Sequence, residues 1–254
     1  MRWITRSLAV VSVAALVAGA LAACDDDGDD GDAADDTETI EVSAEFCDAR
    51  LEIEQALTDE DLEAAQAAIA DLESSAPESV SADVATVADA IAEDPELLFE
   101  DDDAIAARVA IDDVVIEGCG FEVVDVTATE YEFEGVPDTL EADLTAFRLT
   151  NEGEELHEIL IIAIPDDLDE TVTEFFDRVD ALFEAGDEAA AMELITFTAG
   201  AVAPPGGTDV GITELEPGRY VAICFIPVGS TSDEEEGDGP PHYHEGMLSE
   251  FTVT

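Results

Sequence analysis

Apolar residues recur at helical spacing through residues 41–120 and give way to short alternating runs after Phe121. In "SAEFCDARLEIEQAL", Phe46, Arg50, Ile53 and Leu57 lie close to one face, and Ser43 stands where an N-cap belongs. "TDEDLEAAQAAIADLESSA" places Leu62, Ala65, Ile69 and Leu72 together, with Thr58 or Asp59 as the cap and Pro77 as the stop. "VSADVATVADAIAE" carries Val80, Val84, Val87 and Ile91 and ends at Asp94-Pro95, and "DDAIAARVAIDDVVIEG" stops at Gly118. Short amphipathic helices in this order predict a small bundle over 41–120. It carries no ligand chemistry and reads as a spacer or interaction module.

Beyond Phe121, "FEVVDV", "TEYEF", "LTAFRLTN" and "LHEILIIAI" are β-rich runs bounded by Gly, Pro, Asp and Asn. After Pro165 the period turns helical again: Val172, Phe175, Phe176, Val179, Leu182 and Phe183, then a second short helix in "DEAAAMELITF". "APPGG" leads back to strands in "TDVGITEL", "RYVAICFI" and "LSEFTVT". In the last of these, Ser249, Phe251 and Val253 alternate with Glu250 and Thr252. The pattern predicts a β-sandwich over 121–254 with a helical insertion at about 166–206. The fold class expected is therefore α+β and multidomain, a helical bundle followed by a sandwich.

The N-terminus changes the picture. Arg2 and Arg6 precede an apolar run too short for a stable membrane span, which ends in Leu21-Ala22-Ala23-Cys24. That ending resembles the lipobox of bacterial lipoproteins. The resemblance implies a signal peptide over 1–23, cleavage before Cys24 and a lipid on its thiol; an ordinary secretory signal is the alternative. Residues 24–40 would then be an acidic, disordered tether. The expected address is extracytoplasmic, anchored to the cell membrane by lipid.

Charge narrows the partners. The 254 residues include 66 acids against seven Arg and no Lys, a net charge of −59. Such a field disfavours nucleic acid and anionic headgroups. Acids spread along the whole chain fit a salt-adapted bacterial protein kept soluble where salt screens self-repulsion; an acidic face for a basic redox partner is the other reading. The 47% hydrophobic content in periodic runs marks a folded chain.

With Cys24 assigned to the lipid, Cys47, Cys119 and Cys224 remain. In an oxidising compartment two should pair, and Cys47 and Cys119 bracket the helical segment. Cys224 is then the odd thiol, to be buried or metal-bound.

Four motifs run in order along the second half: "Y-x-F-x-G-V-P", "F-x-L-T-N-x-G-x-x-x-H-E", "P-G-x-Y-x-x-x-C-F-x-P" and "P-H-x-x-x-G-M-x-x-x-F-x-V". Together they resemble the cupredoxins, over roughly residues 121–254. The resemblance implies a Greek-key sandwich and one type 1-like copper held by two imidazoles, a thiolate and a distant thioether. By position, His157 would be the first histidine, Cys224 the thiolate, His242 the second histidine and Met247 the axial sulfur, with His244 as the alternative to His242. Two departures stand out. Seventeen residues separate Cys224 from His242 where the family usually has a few, and Glu158 follows the first histidine where Asn is common. The implied function is electron transfer or copper handling at the membrane surface; a metal-free sandwich with a structural or interaction role is the alternative. Three histidines are too few for multicopper catalysis, and no serine elbow, phosphate loop or paired zinc motif is present, so an enzyme is not expected.

Overall fold

The computed structural model of the chain describes residues 42–254 except 59–60, 95–96 and 232–236. The signal peptide, Cys24 and the acidic tether lie outside the described residues, and no described helix is long and apolar enough to cross a membrane.

Helix α1 (Ala44–Thr58) begins where Ser43 Oγ accepts the Phe46 amide at 3.2 Å. Helix α2 (Leu62–Ser75) is capped by Asp61, which accepts the Ala64 amide at 3.0 Å; Thr58 instead ends α1, and Asp59 lies outside the described residues. Leu62, in its first turn, is 49% exposed; Ala65, Ala68, Ile69 and Leu72 form the buried face. Helix α3 (Ser81–Glu93) buries Val84, Val87, Ala90 and Ile91 as the period requires. A single extra turn, α4 (Leu97–Glu100), precedes α5 (Asp102–Gly118). Cys47 and Cys119 are disulfide-bonded, joining α1 to the residue that follows α5, and Cys224 is free and buried.

Two sheets follow. One has the order β2-β1-β4-β7, built from β1 (Glu122–Thr129), β2 (Glu132–Glu134), β4 (Leu144–Asn151) and β7 (Thr208–Glu214). The other has the order β3-β9-β8-β5-β6, from β3 (Thr139–Leu140), β5 (His157–Ile164), β6 (Thr196–Ala203), β8 (Gly218–Ile223) and β9 (Leu248–Val253). "TEYEF" is not one strand: Tyr131 sits at φ 66° in the turn between β1 and β2. The helical insertion is also shorter than the pattern suggests. It comprises α6 (Val172–Glu184) and α7 (Glu188–Met192), and "TFTAGAVA" is strand β6. Small residues in β6 hide its alternation behind the helix-like "AAAMEL".

Three apolar clusters fill this architecture. Val124, Val126, Phe147, Leu149, Ile159, Ile161 and Phe251 belong to the cluster between the sheets. Ile162 and Ile164 pack instead with Phe175, Phe176 and Val179 of α6, at a register shift where Thr198 is the extra residue of β6. The helices of 42–118 share a third cluster with Ala146, Val210 and Ile212 of β4 and β7. The helical segment is thus packed on the sheet rather than held off it as a spacer. A buried ionic ladder crosses the same seam. Arg50 Nε donates to Asp112 Oδ1 at 2.7 Å, and Arg108 Nη1 donates to Asp209 Oδ1 at 2.6 Å. Asp209 Oδ2 accepts the Val202 amide of β6 at 2.8 Å.

The disulfide closes a span of 72 residues, long enough that chain-entropy arguments assign it about 4 kcal/mol. Replacing both Cys47 and Cys119 by Ser should lower unfolding free energy by about that amount, measured by denaturant titration. A change below about 1 kcal/mol would show that the helices hold together without the staple.

Candidate metal centre

The strand register decides where the predicted ligands fall. Leu160 of β5 pairs with Ile223 of β8, and Ile223 pairs with Leu248 of β9, both antiparallel. The start of β5, the end of β8 and the start of β9 therefore meet at one pole of the sandwich. His157 opens β5, Cys224 directly follows β8, and Met247 directly precedes β9. His242 opens a one-turn helix, α8 (His242–Glu245), which the sequence pattern did not predict.

The long Cys224–His242 separation is cancelled by a neck. The His242 amide donates to Ile226 O at 2.9 Å, Val228 N to Pro240 O at 2.9 Å, and Gly239 N to Val228 O at 3.1 Å. Cys224 itself joins both sides: its carbonyl accepts Tyr243 N at 3.0 Å and its amide donates to Met247 O at 3.2 Å. Met247 N then returns to His242 O at 3.1 Å, across Gly246, whose φ of 117° suits the left-handed turn only glycine adopts cheaply. The neck thus brings His242 to Cys224 despite the seventeen residues between them.

Nδ1 of His157 and Nδ1 of His242 lie 3.2 Å apart, and Cys224 Sγ is 3.3 Å from His242 Nδ1. The three donor atoms fall within 4.8 Å of one another, all in fully buried residues. Among the described residues this is the cluster of His, Cys and acidic groups close enough to hold an ion. Met247, also fully buried, packs in the same apolar cluster as Cys224. The three clustered donors are those that the motifs' resemblance to cupredoxins implies.

His244 goes elsewhere: its Nε2 is 2.8 Å from Asp177 Oδ1 at the surface of α6. Its neighbour Tyr243 is buried, donates to Asp180 Oδ2 at 2.8 Å and packs among Phe176 and Phe225. The helical insertion thereby grips the turn that carries His242.

The residues around the donors, which sequence reasoning largely missed, fix the two ligand loops to each other. Glu158, noted as a departure in the motif, is buried and accepts the Phe225 amide at 2.9 Å, tying β5 to the residue after Cys224. Asn151 Nδ2 donates to Glu155 O and Ala203 O, both at 2.8 Å, and its Oδ1 accepts the Gly153 amide at 2.8 Å, shaping the turn that leads into His157. A Cβ at Gly153 would come within 2.9 Å of His157 Nε2, so this approach requires glycine. Glu155 accepts from the Gly229 amide at 2.6 Å and Tyr131 OH at 3.1 Å, and lies 3.1 Å from His242 Nε2.

Burial favours the neutral form of every donor. It drives His157 down to about 4, with His242 beside it adding to the effect. His242 is also lowered by burial, against the pull of Glu155. The Cys224 thiol is raised by burial and by the charge of Glu158. Burial works against ionised Glu155 too, but the Gly229 amide, His242 and Tyr131 outweigh it and hold the carboxyl below its ordinary range. A thiolate beside two neutral imidazoles, with a thioether next in the chain fold, is the donor set of a single type 1-like copper, and these residues fit it.

No protein-family model matches the chain, and no curated protein matches it. Among solved structures it is similar to an auracyanin from Roseiflexus castenholzii, 17% identical over 53% of this chain and 99% of that one, with a TM-score of 0.34. It is also similar to auracyanin A, a "blue" copper protein from Chloroflexus aurantiacus, 18% identical over 53% of this chain and all of that one, at 0.34. A multi-copper oxidase from Pediococcus acidilactici is 10% identical, with 26% of its own length covered and a TM-score of 0.28. These scores are too low to bear on function, which rests on the site itself.

Glu158 gives a test of the tie. Burial pushes its carboxyl from 4.5 up to about 7, against the lowering by the Phe225 amide. The folded state thus keeps a proton that the unfolded chain releases. Its stabilising contribution is complete below pH 4.5 and is lost as pH rises to about 7. Glu158→Gln keeps the acceptor for Phe225 without the charge. In chelator-treated protein it should match wild type below pH 4.5 and exceed it by about 3 kcal/mol above pH 7. Chemical denaturation across that range checks this; equal stabilities at pH 8 would contradict it.

Proposed function

We propose that the protein is an extracytoplasmic copper-binding cupredoxin-like protein that transfers electrons or handles copper, and that a lipid on Cys24 anchors it to the membrane. One observation carries the reading: two imidazole Nδ1 atoms and a free thiol Sγ converge, fully buried, at one pole of the sandwich. A buried cysteine in a chain that also has a disulfide is otherwise an inert hydrophobe. Two buried histidines, one with Nδ1 3.3 Å from its sulfur and the other with Nδ1 3.2 Å from that nitrogen, give it a different use.

Copper bound by such a set would exchange one electron between two oxidation states with little change of geometry. The chain's part is to hold the donors fixed. β5 and β8 set His157 against Cys224, the neck returns His242, and Met247, whose backbone is bonded to His242 and Cys224, would supply the weak thioether ligand. Burial excludes water from the donors. The disulfide supports an oxidising compartment, and the lipobox supports the anchor. A redox partner would dock outside the cytoplasm.

Copper-loaded wild type should bind one ion and show the strong visible absorption of copper–thiolate charge transfer. Cys224→Ser should abolish the colour, and His157→Ala and His242→Ala should abolish or badly distort it. His244→Ala should leave it intact, and Met247→Leu should keep the colour while shifting the reduction potential. A colourless wild type would sink the reading.

Membrane fractionation tests the anchor separately. Cys24→Ala should move the protein from the membrane to the soluble fraction; unchanged partition would show another mode of attachment.

A further inference from the structure

We infer that Glu155 is a positioning residue for His242, fixing the ring with Nδ1 toward the metal and placing a carboxylate charge behind it. The inference rests on the copper-site reading and deepens it.

The geometry around Glu155 is a built acceptor site. Three donors from three separate segments converge on one carboxylate: Tyr131 OH from the β1–β2 turn, the Gly229 amide from the neck, and His242 Nε2 from α8. An ionised carboxylate only accepts hydrogen bonds. His242 must therefore carry its proton on Nε2, which leaves the Nδ1 lone pair free on the side of Cys224 and His157. Tyr131 completes the arrangement. Its backbone is held at φ 66°, uncommon for a residue with a side chain. From that turn its ring lies 4.9 Å from the His242 ring while its hydroxyl bonds Glu155. The Glu155 main chain is fixed as well, since its carbonyl accepts Asn151 Nδ2 at 2.8 Å.

His157 has no equivalent. Its Nε2 is buried without a hydrogen-bond partner, and the nearest carboxylate oxygen, on Glu130, is 4.0 Å away. Glu130 is engaged with the amides of Glu154 and Glu155. The two imidazoles are thus unequal donors. A carboxylate behind a metal-bound histidine raises its basicity and orients it, so His242 becomes the stronger nitrogen ligand. The added charge favours the more oxidised copper, which lowers the reduction potential relative to a site with both rings held by neutral groups.

Three variants test this. Glu155→Gln keeps an acceptor but removes the charge, Glu155→Ala removes both, and Glu154→Gln removes one exposed charge from the same loop as a control. Glu155→Gln should keep the colour while losing roughly 10- to 100-fold in copper(II) affinity, with a smaller loss for copper(I). Its potential should therefore rise, by about 59 mV for each tenfold difference between the two losses. Glu154→Gln should leave affinity and potential near wild type. In chelator-treated protein, ¹⁵N NMR of the His242 ring should show one Nε2–H tautomer in wild type and Glu155→Gln, and a mixture in Glu155→Ala. If the potential of Glu155→Gln stays at the wild-type value or moves no more than that of Glu154→Gln, the inference is overturned. A single unchanged tautomer in Glu155→Ala also overturns it. Should Glu155→Ala fail to fold, the potential of Glu155→Gln decides. A colourless wild type would instead remove the copper reading, and the NMR result on chelated protein would still decide whether Glu155 fixes the ring.

Discussion

The site depends on the hydrogen bonds that Cys224 makes through its own backbone. Its carbonyl holds Tyr243 and its amide holds Met247, so one residue is at once a donor of sulfur and the clasp that closes the loop. Without that clasp and the neck beyond it, His242 and Met247 would be attached to Cys224 only through a long acidic segment. Loop-closure entropy rises slowly with length, so a long loop can return, but return alone does not orient a ring. Orientation comes from the ladder along 224–228 and 240–247, which turns a distant histidine into a local one.

Both outer faces of the sandwich are covered, and by different means. The helices of 42–118 lie on β4 and β7 through an apolar cluster and a buried ladder of arginine and aspartate. The α6 insertion lies on β5 and β8 and reaches α8 through Tyr243. β5 is accordingly buried on both sides, and β4 at Ala146 of its outer face, as expected where a layer lies above and below. This double covering matters for the donors, because His157 begins one of those strands and cannot shift without dislodging its packing.

His157, Cys224 and Met247 were legible because each stands at a strand end inside a short motif, and strand ends keep their place when loops grow. The choice of His242 over His244 was readable from its spacing to Met247, and the structure places the two rings on opposite errands. Glu158 was visible only as a departure; its bond to Phe225 joins residues 67 positions apart, which no local pattern reveals. Glu155 and Tyr131 were unreadable for the same reason, although Tyr131 sits in a quoted motif. The start of β6 reads as helix in "DEAAAMELITF" because alanine and glycine supply too little contrast to mark a period of two, and the "AAAM" before it favours helix. The packing of helices onto the sheet had a faint signal in the outward apolar residues Ala146, Val210 and Ile212.

The arginine ladder has a bearing on how the molecule answers to its medium. Arg50 and Asp112 have side chains 5% and 0% exposed, and Asp209 is 4% exposed. Mobile ions weaken interactions between groups in water and reach groups removed from it far less. Most acids among the described residues are at the surface and repel one another, whereas the opposite charges that join helix to sheet are inside. Added electrolyte therefore relaxes the repulsion at the surface and spares the buried ladder, weakening only exposed pairs such as Arg178–Glu170 and Arg219–Glu250.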